Sequence, residues 1–583
     1  MPAGPLARSG TRLVRALAVP LVLALPPLFW IVEATRRASR TTLGRDQGIF
    51  QYVAWAIHEG AIDYRDVRDV NGPLVHAVHL AFLALGGADE HRFRSLDLIA
   101  SGIAFAFVGA CLPGLHGGRA PSALERAAWA LAGWVVLSGQ YLLYGYWDLA
   151  QRESFFDWFL LSSVALQLVA QSVAAGGRRP SAGRKACLLG VVGALSVIPC
   201  FGKPTYVLFT LAQLAVVVLD DGLVLSRKKA LLAFGFGGTL GAALPLAFLV
   251  AHGDIGAFVH AQIVDVPAMY RFIWPRSAAD IFSEAWRATQ AIDSLVGAAI
   301  LIALICSGEM PVRVFVVALL PLCALVGVVA QGKAFPYHFH PVTAGVHLQW
   351  LVLTAWFAER SRVAQRRLAI VRVAPVVVAA MLALRVATAM EDSPYIRAPW
   401  LLWGANTAAA RTTREYFAHF PEADFFPYEM RQAADYLRQH TEPNDRVQTY
   451  GMDPYVLFLA QRQSATPFIY AYDLDADAAL AGGTGGHPDA AQVERILALR
   501  NENEAEMLRG LEASPPAALV FIDGSPLVSS PDAWDDFEGH CARSADWVSA
   551  RYRETARFGH DHVWLRLDRV PPDEGRQPFP TDP

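Results

Sequence analysis

The chain has 583 residues, of which 54% are hydrophobic and 18% are charged, and its mean hydropathy is +0.30. An ordinary soluble domain carries about 25% charged residues, so a purely soluble multidomain protein is excluded, and so is a disordered chain, which needs the opposite composition. The net charge of −3 combines two unlike regions. Residues 1–390 carry +11, whereas residues 391–583 contain no Lys and carry −14.

Long apolar runs fill the first of these regions. A helix that crosses a bilayer needs about 17–25 predominantly apolar residues. We therefore predict a polytopic α-helical membrane protein with about eleven transmembrane helices, placed near 13–33, 95–115, 127–146, 155–175, 186–202, 204–220, 230–251, 293–308, 312–331, 341–358 and 369–390.

Basic residues in the short loops predict the orientation of these helices. Lys and Arg are enriched on the cytoplasmic side of a membrane. With the N-terminus inside, five consecutive inner loops carry basic residues: Arg119 and Arg126; Arg178, Arg179, Arg184 and Lys185; Arg227, Lys228 and Lys229; Arg313; and Arg360, Arg362, Arg366 and Arg367. The pattern predicts a transmembrane domain (1–390) with a large first outer loop (34–94), and an extracytoplasmic domain (391–583).

The second region has the pattern of a mixed α/β domain. Amphipathic or helix-favouring segments occur at 429–440, 454–461 and 491–511, and strand-like segments at 446–450, 518–523 and 562–567. The glycine-rich segment 482–486 predicts a loop.

Several cations lie on predicted outer loops, where the positive-inside bias disfavours them. Cations kept on the disfavoured side indicate an anion to bind. The candidates are Arg152, Lys203 and Lys333, with Tyr337 and His338 beside the last of them. Each has a simpler explanation: a Lys at a helix end can snorkel to lipid headgroups, Arg152 can pair with Glu153, and Tyr337 can belong to an aromatic belt. Together they favour a converging site for an anionic lipid.

The first outer loop resembles that of a known superfamily. It contains Arg45-Asp46-Gln47-Gly48, then Tyr52, Ala56 and Gly60, then Tyr64-Arg65-Asp66 and Asp69 to Pro73. This pattern looks like the first periplasmic loop of GT-C membrane glycosyltransferases, which include protein O-mannosyltransferases and the lipid A aminoarabinose transferase. Further segments are similar to bacterial members: Gln151-Arg152-Glu153, Gly202-Lys203-Pro204, 332–338, and 433–451. Many relatives have Asp-Glu where this chain has Asp46-Gln47.

The resemblance implies a polyprenyl-phosphate-linked sugar as donor and a hexosyl- or pentosyltransferase reaction. The acceptor is an envelope lipid, glycan or protein at the bacterial cytoplasmic (inner) membrane, among membrane lipids, and no nucleic acid is involved. Asp46 is carried over as the base, and Asp66, Asp69 and Glu153 are supporting carboxylates, with shaping of a hairpin as the alternative role of Asp66 and Asp69. Arg152, Lys203, Lys333, Tyr337 and His338 are the candidates for the carrier phosphate. We expect no cofactor, and no metal because the sequence has no dense set of carboxylate ligands.

Two other classes of protein fit parts of the pattern. A polytopic transporter or lipid flippase also has charged residues near bilayer depth, although the sequence contains no internal repeat and transport does not need a large outer domain. A membrane-tethered sensor would use 391–583 to bind a ligand, but it would not need cations on several separate outer loops.

Overall fold

The computed structural model describes residues 5–114, 120–170, 181–220, 225–363 and 369–571, with side chains from Ala16 onward except at 362–372. Its contacts divide the chain into two compact units. Unit 1 comprises Met1–Thr41, His91–Leu246 and Ile281–Trp403, and unit 2 comprises Thr42–Glu90, Ala247–Asp280 and Gly404–Pro583. The segment predicted as the first outer loop therefore belongs largely to the same unit as the C-terminal region.

Most of the described residues are helical. The helices are, in chain order, α1 (Pro5–Ala38), α2 (Arg45–His58), α3 (Pro73–Gly86), α4 (Glu90–Cys111), α5 (Ala123–Tyr141), α6 (Arg152–Ala170), α7 (Ala182–Val197), α8 (Val207–Leu219), α9 (Arg227–His252), α10 (Ile255–His260), α11 (Val266–Ala268), α12 (Ala278–Ala288), α13 (Ala291–Cys306), α14 (Phe315–Gln331), α15 (His340–Val363), α16 (Ala369–Glu391), α17 (Trp400–Trp403), α18 (Arg414–Phe417), α19 (Pro427–His440), α20 (Tyr455–Ala460), α21 (Asp477–Ala481), α22 (Ala490–Ala513), α23 (Ala533–His540) and α24 (Ala542–Ser549). The strands are β1 (Val447–Tyr450), β2 (Ala518–Ile522), β3 (Tyr552–Phe558) and β4 (Asp561–Arg566).

A helix lies at each of the eleven apolar runs that the sequence predicts to span the membrane. Within the described residues, seven helices are long and apolar enough to cross a membrane, or eight if α12 and α13, which meet at 84°, form one broken span. The helix α8 has only 13 residues, and α5 and α15 are not among the helices that are both long and apolar enough to cross a membrane. The structure thus supports a multi-pass membrane protein, and the number of eleven spans stays a prediction. Among the basic residues used for orientation, Arg119, Arg178, Arg179, Arg366 and Arg367 lie outside the described residues.

Small residues allow close helix packing in unit 1. A Cβ atom on Gly133 of α5 would come within 2.6 Å of the Gly109 Cα on α4, so the two backbones meet where neither residue has a side chain. Helices inside a bilayer associate largely through such contacts, because lipid tails are as apolar as Leu side chains. The helix α1 packs against both α5 and α16. These contacts fix the positions of the helices relative to one another within unit 1.

Unit 2 is built around a four-stranded sheet in its described part, with strand order β1-β2-β4-β3. The strands β1 and β2 are parallel, and β4 pairs antiparallel with both β2 and β3. One face of β2 buries Leu519 and Phe521 against α22, α23 and α24. The helix α22 begins with a capping box, in which the Asp489 side chain accepts from the backbone of Gln492 and the Gln492 side chain accepts from Asp489.

The predicted elements of the C-terminal region correspond to elements of the structure. The helices at 429–440, 454–461 and 491–511 are α19, α20 and α22, and the strands at 446–450, 518–523 and 562–567 are β1, β2 and β4. The sequence did not predict β3. This strand lies at the end of the sheet and carries Arg553, Glu554 and Arg557. Charged side chains are common on exposed edge strands, where they prevent pairing with other chains, and they hide the apolar alternation that marks a strand.

Candidate functional site

Unit 1 places Glu153 among several of the predicted phosphate-binding residues. Glu153 lies in the first turn of α6 with 1% of its surface exposed. Its Oε1 atom accepts a hydrogen bond from the ammonium of Lys203, the residue before a 3-10 turn at 204–206. The same Oε1 atom lies 3.7 Å from the Nε2 atom of His338. These residues are 50 and 185 positions apart in the chain, so the fold and not local sequence brings them together.

The loop after α14 supplies the other members of this cluster. Residues 336–339 form a 3-10 turn in which Tyr337 and His338 are buried. The Arg152 Nη2 atom donates to the Tyr337 hydroxyl at 2.9 Å, and its guanidinium lies 5.4 Å from the ring centroid. The His338 Nδ1 atom lies 3.2 Å from the carbonyl oxygen of Lys333. Lys333 is 7% exposed, and burial lowers the pKa of its ammonium to about 8.

Three buried oxygen atoms near this cluster have no hydrogen-bond partner within the described residues. They are the second carboxylate oxygen of Glu153, one carboxylate oxygen of Asp157 and the hydroxyl of Tyr206. A buried polar atom without a partner costs about 1–3 kcal/mol, so such atoms cluster where water or a ligand binds. We call Arg152, Glu153, Lys203, Lys333, Tyr337 and His338 the unit 1 cluster.

The predicted base lies in unit 2. Asp46 is half-buried in the first turn of α2, whose N-terminal amide groups favour a negative charge. The preceding Arg45 is buried and donates to the Asp453 carboxylate at 2.8 Å and to the Asp424 carboxylate at 3.2 Å. The following turn requires Gly48, because a Cβ atom there would lie 2.7 Å from the ring of Tyr455 on α20. The Arg45 ion pairs and this close packing fix the helix turn that carries Asp46.

Asp69 belongs to a buried carboxylate–imidazole–carboxylate chain. His76 on α3 contacts the Asp63 carboxylate through Nδ1 and the Asp69 carboxylate through Nε2, each at 2.8 Å, and all three side chains are fully buried. Burial alone would lower the pKa of His76, but the two carboxylates raise it to about 10, so the ring is cationic at neutral pH. Asp69 also accepts from Asn71 and from the Tyr470 hydroxyl, and these contacts are typical of a structural anchor.

Asp66 has a different environment. Its carboxylate accepts from the backbone amide of Ile62 at 2.8 Å and from the Arg65 guanidinium at 2.9 and 3.1 Å. The side chain is one-third exposed. These contacts are those of a carboxylate that closes a turn.

The predicted site residues therefore divide between the two units. The structure brings Arg152, Glu153, Lys203, Tyr337 and His338 together in unit 1, with Lys333 joined through its carbonyl, and it places Asp46, Asp66 and Asp69 in unit 2. Sequence reasoning missed Asp63 and His76. The only signal for them was the presence of a His in an otherwise apolar stretch 13 residues after an Asp.

Replacing His76 tests whether it is the cation that holds Asp63 and Asp69. We expect His76→Gln to lower the free energy of unfolding by about 3–5 kcal/mol near pH 7, because two buried carboxylates then face each other without compensation. Denaturant unfolding of the detergent-solubilised protein measures this loss. His58→Gln is the matched control, since His58 is exposed at the end of α2.

The same interaction predicts a pH dependence. The folded-state pKa of His76 is raised to about 10, above the ordinary value of about 6.5. The stabilisation is therefore fully present below pH about 6.5 and is lost as the pH rises through about 10. The difference in stability between wild type and His76→Gln should shrink between pH 7 and pH 10, and a constant difference would contradict a cationic His76.

One solved structure reported below shares the fold of this chain, although no family model matches the sequence and no curated protein is significantly similar to it. The crystal structure of ArnT from Cupriavidus metallidurans bound to undecaprenyl phosphate has a TM-score of 0.53 and 11% identity, over 94% of this chain and 98% of that chain. The oligosaccharyltransferase of Archaeoglobus fulgidus in the apo form has a TM-score of 0.42 and 13% identity, over 87% of this chain and 69% of that chain. The chain therefore has the fold of this ArnT structure.

Proposed function

We propose that this protein is a membrane glycosyltransferase that moves a sugar from a polyprenyl-phosphate donor to an acceptor outside the cytoplasm. The observation that carries the proposal is the unit 1 cluster, in which three separate segments bring Arg152, Lys203 and Tyr337 around Glu153. The likeness to ArnT, whose structure holds undecaprenyl phosphate, supports a carrier of the same kind. The sugar is a hexose or a pentose, and the acceptor is an envelope lipid, glycan or protein.

In this proposal the unit 1 cluster binds the carrier phosphate. Arg152 and Lys203 are cations on buried or partly buried side chains, where the interaction with a phosphate is much stronger than in water. Glu153 holds Lys203 in position and carries one oxygen without a hydrogen-bond partner, which suits a hydroxyl group of the donor. The same cations stabilise the negative charge that develops on the departing phosphate.

Asp46 acts as the base in the transfer step. An acceptor hydroxyl oxygen forms a bond with the anomeric carbon, and the bond between that carbon and the phosphate oxygen breaks. The proton of the hydroxyl passes to Asp46, and the polyprenyl phosphate leaves with the electron pair. Asp46 is half-buried, so an acceptor can approach it.

The proposal also includes the orientation of the chain. The basic inner loops favour a cytoplasmic N-terminus, and they place Asp46, the unit 1 cluster and residues 391–583 at the outer face of a bacterial inner membrane. A polyprenyl tail lies in the bilayer while its phosphate reaches that face. Lys203 and Lys333 each follow, by two residues, an apolar segment, which ends at Phe201 or at Gln331.

Topology reporters test this orientation. A fusion at residue 400 should behave as exported, for example with active alkaline phosphatase and inactive fluorescent protein, because the last predicted span ends near residue 390. A fusion at residue 228, in a predicted inner loop, is the matched control and should behave as cytoplasmic. A cytoplasmic signal at residue 400 would contradict the outer position of all the candidate residues.

Substitution of Asp46 tests the base. Asp46→Asn keeps the shape of the side chain but removes its basicity, so we expect transfer to fall by about 10²-fold or more while the thermal unfolding profile is retained. Asp66→Asn is the matched control, since Asp66 lies in the same loop region and closes a turn. Full turnover by Asp46→Asn together with loss of turnover in Asp69→Asn would show that the wrong carboxylate is assigned.

Lys203 and Lys333 test the donor site. A charge-assisted contact contributes about 1.5–3 kcal/mol, so Lys203→Met or Lys333→Met should each weaken binding of a polyprenyl-phosphate sugar by about ten- to a hundredfold. Titration of the purified variants measures the dissociation constants. Lys228→Met, an exposed Lys of a predicted inner loop, should leave donor affinity unchanged.

Lys333 adds a pH signature to this test. Because burial lowers its pKa to about 8, the free protein loses this cation as the pH rises from 7 to 9. Donor affinity of the wild type should then fall by up to about tenfold per pH unit above 8, and this part of the decline should be absent in Lys333→Met. Unchanged affinity in both Met variants would indicate lysines that only snorkel to lipid and would favour a transporter.

A further inference from the structure

A second cluster of potential ligands lies in unit 2, within the C-terminal region and apart from every residue assigned above. His540 is the last residue of α23, and Asp477 is the first residue of α21. The His540 Nε2 atom lies 3.5 Å from an oxygen of Asp475 and 3.5 Å from an oxygen of Asp477. A third carboxylate, Asp536, lies one helical turn before His540, at 3.9 Å from the same nitrogen.

The charges of this cluster are poorly balanced. The side chains of Asp475 and Asp536 are fully buried, and that of His540 is 17% exposed. Within the described residues, the only ion-pair partner of the three carboxylates is His540, and no Lys or Arg reaches them. The carboxylates of Asp475, Asp477 and Asp536 therefore repel one another. A cation would relieve this repulsion.

The spacing of the ligand atoms fits a metal ion better than direct hydrogen bonds. A hydrogen bond between imidazole and carboxylate has a length of about 2.7–3.2 Å, whereas both separations are 3.5 Å. Two ligands bonded to zinc at about 2.1 Å in a tetrahedron lie about 3.4 Å apart. The chosen atoms of Asp475, Asp477 and His540 all lie within 4.8 Å of one another. One ion can therefore reach all three.

We propose that Asp475, Asp477 and His540 form a site for a divalent transition metal, with zinc as the preferred ion and water as the fourth ligand. An imidazole with two carboxylates is a donor set typical of zinc, whereas calcium and magnesium prefer oxygen ligands alone. His540 binds through Nε2, which lies 3.1 Å from the Ser529 hydroxyl oxygen, and any proton on this nitrogen is released when the metal binds.

The surrounding contacts support this donor set. Asp475 accepts from the backbone amides of Asp477 and Ser529, at 2.8 and 3.1 Å, which fixes the orientation of its carboxylate. Asp536 is held by the Tyr450 hydroxyl at 2.6 Å and by Ser529 at 2.8 Å, so it stays an outer partner that adds negative charge. The metal would tie α21 to α23, two helices more than 50 residues apart, and so has a structural role in unit 2.

Metal binding by the full-length protein tests the proposal. The detergent-purified chain, freed of its affinity tag, is stripped with a chelator and titrated with Zn²⁺, and bound metal is counted by mass spectrometry after gel filtration. We expect about one zinc per chain and a higher midpoint of thermal unfolding in its presence. Cobalt in the same site should give the visible absorption of a tetrahedral complex. A wild-type protein that retains no zinc would overturn the proposal.

Two variants and a control locate the ion. His540→Ala and Asp477→Asn should each lower zinc affinity at least about tenfold, because even outer partners of a metal site contribute about 10- to 100-fold. Asp477 is 42% exposed, so its substitution preserves the fold. His440→Ala, which changes a His that also ends a helix, should bind zinc like the wild type. Equal affinity in wild type and both ligand variants, or equal loss in the control, would place the ion elsewhere and reject the site.

Discussion

A charge that is removed from water must meet an opposite charge, and in unit 1 the carboxylate of Glu153 is the anion on which this requirement rests. Its pairing with Lys203 and its approach to His338 join segments that are far apart in sequence. Removal of Glu153 would take away the carboxylate that bonds to the partly buried Lys203 ammonium. The acid thus holds this cation at the place where the proposed mechanism puts the carrier phosphate.

Around α2 and α3 in unit 2 the same constraint acts with the signs reversed. The buried carboxylates of Asp63, Asp69 and Asp453 are held there by the cations His76 and Arg45. The Arg45 pair also fixes the first turn of α2, which carries Asp46. Buried ion pairs of this kind add little net stability, but they allow few alternative arrangements of the same residues. The main effect of the Arg45 pair is therefore to fix the position of the neighbouring Asp46 side chain, and its effect on the stability of the fold is smaller.

The local patterns of the sequence were sufficient to predict most helices and strands, but not the side-chain clusters around His76 and His540. Apolar runs predicted where helices lie, and alternation or amphipathicity predicted α19, β2 and β4. The strand β3 was missed because its charges face water. His76 was missed for a different reason: α3 is apolar apart from His76 and His79, and the carboxylates meet His76 only when the loop before that helix folds back. The residues around His540 were missed likewise, because Asp475 lies 65 positions earlier in the chain. Contacts of this range depend on tertiary structure, which no local period encodes.

The environments of the carboxylates decide which of them can accept a proton from a substrate. Asp69 accepts four hydrogen bonds, from His76, Asn71 and Tyr470, and is fully buried, so a substrate hydroxyl has no access to its carboxylate. Those bonds also lower its pKa against the effect of burial, which makes it a weaker base. Asp66 accepts from its own turn and from Arg65. Asp46 is only half-buried and lies at a helix N-terminus that Arg45 and Gly48 hold in place. A base must combine a fixed position with access for the substrate, and this is the reason that the proposed mechanism assigns the role to Asp46.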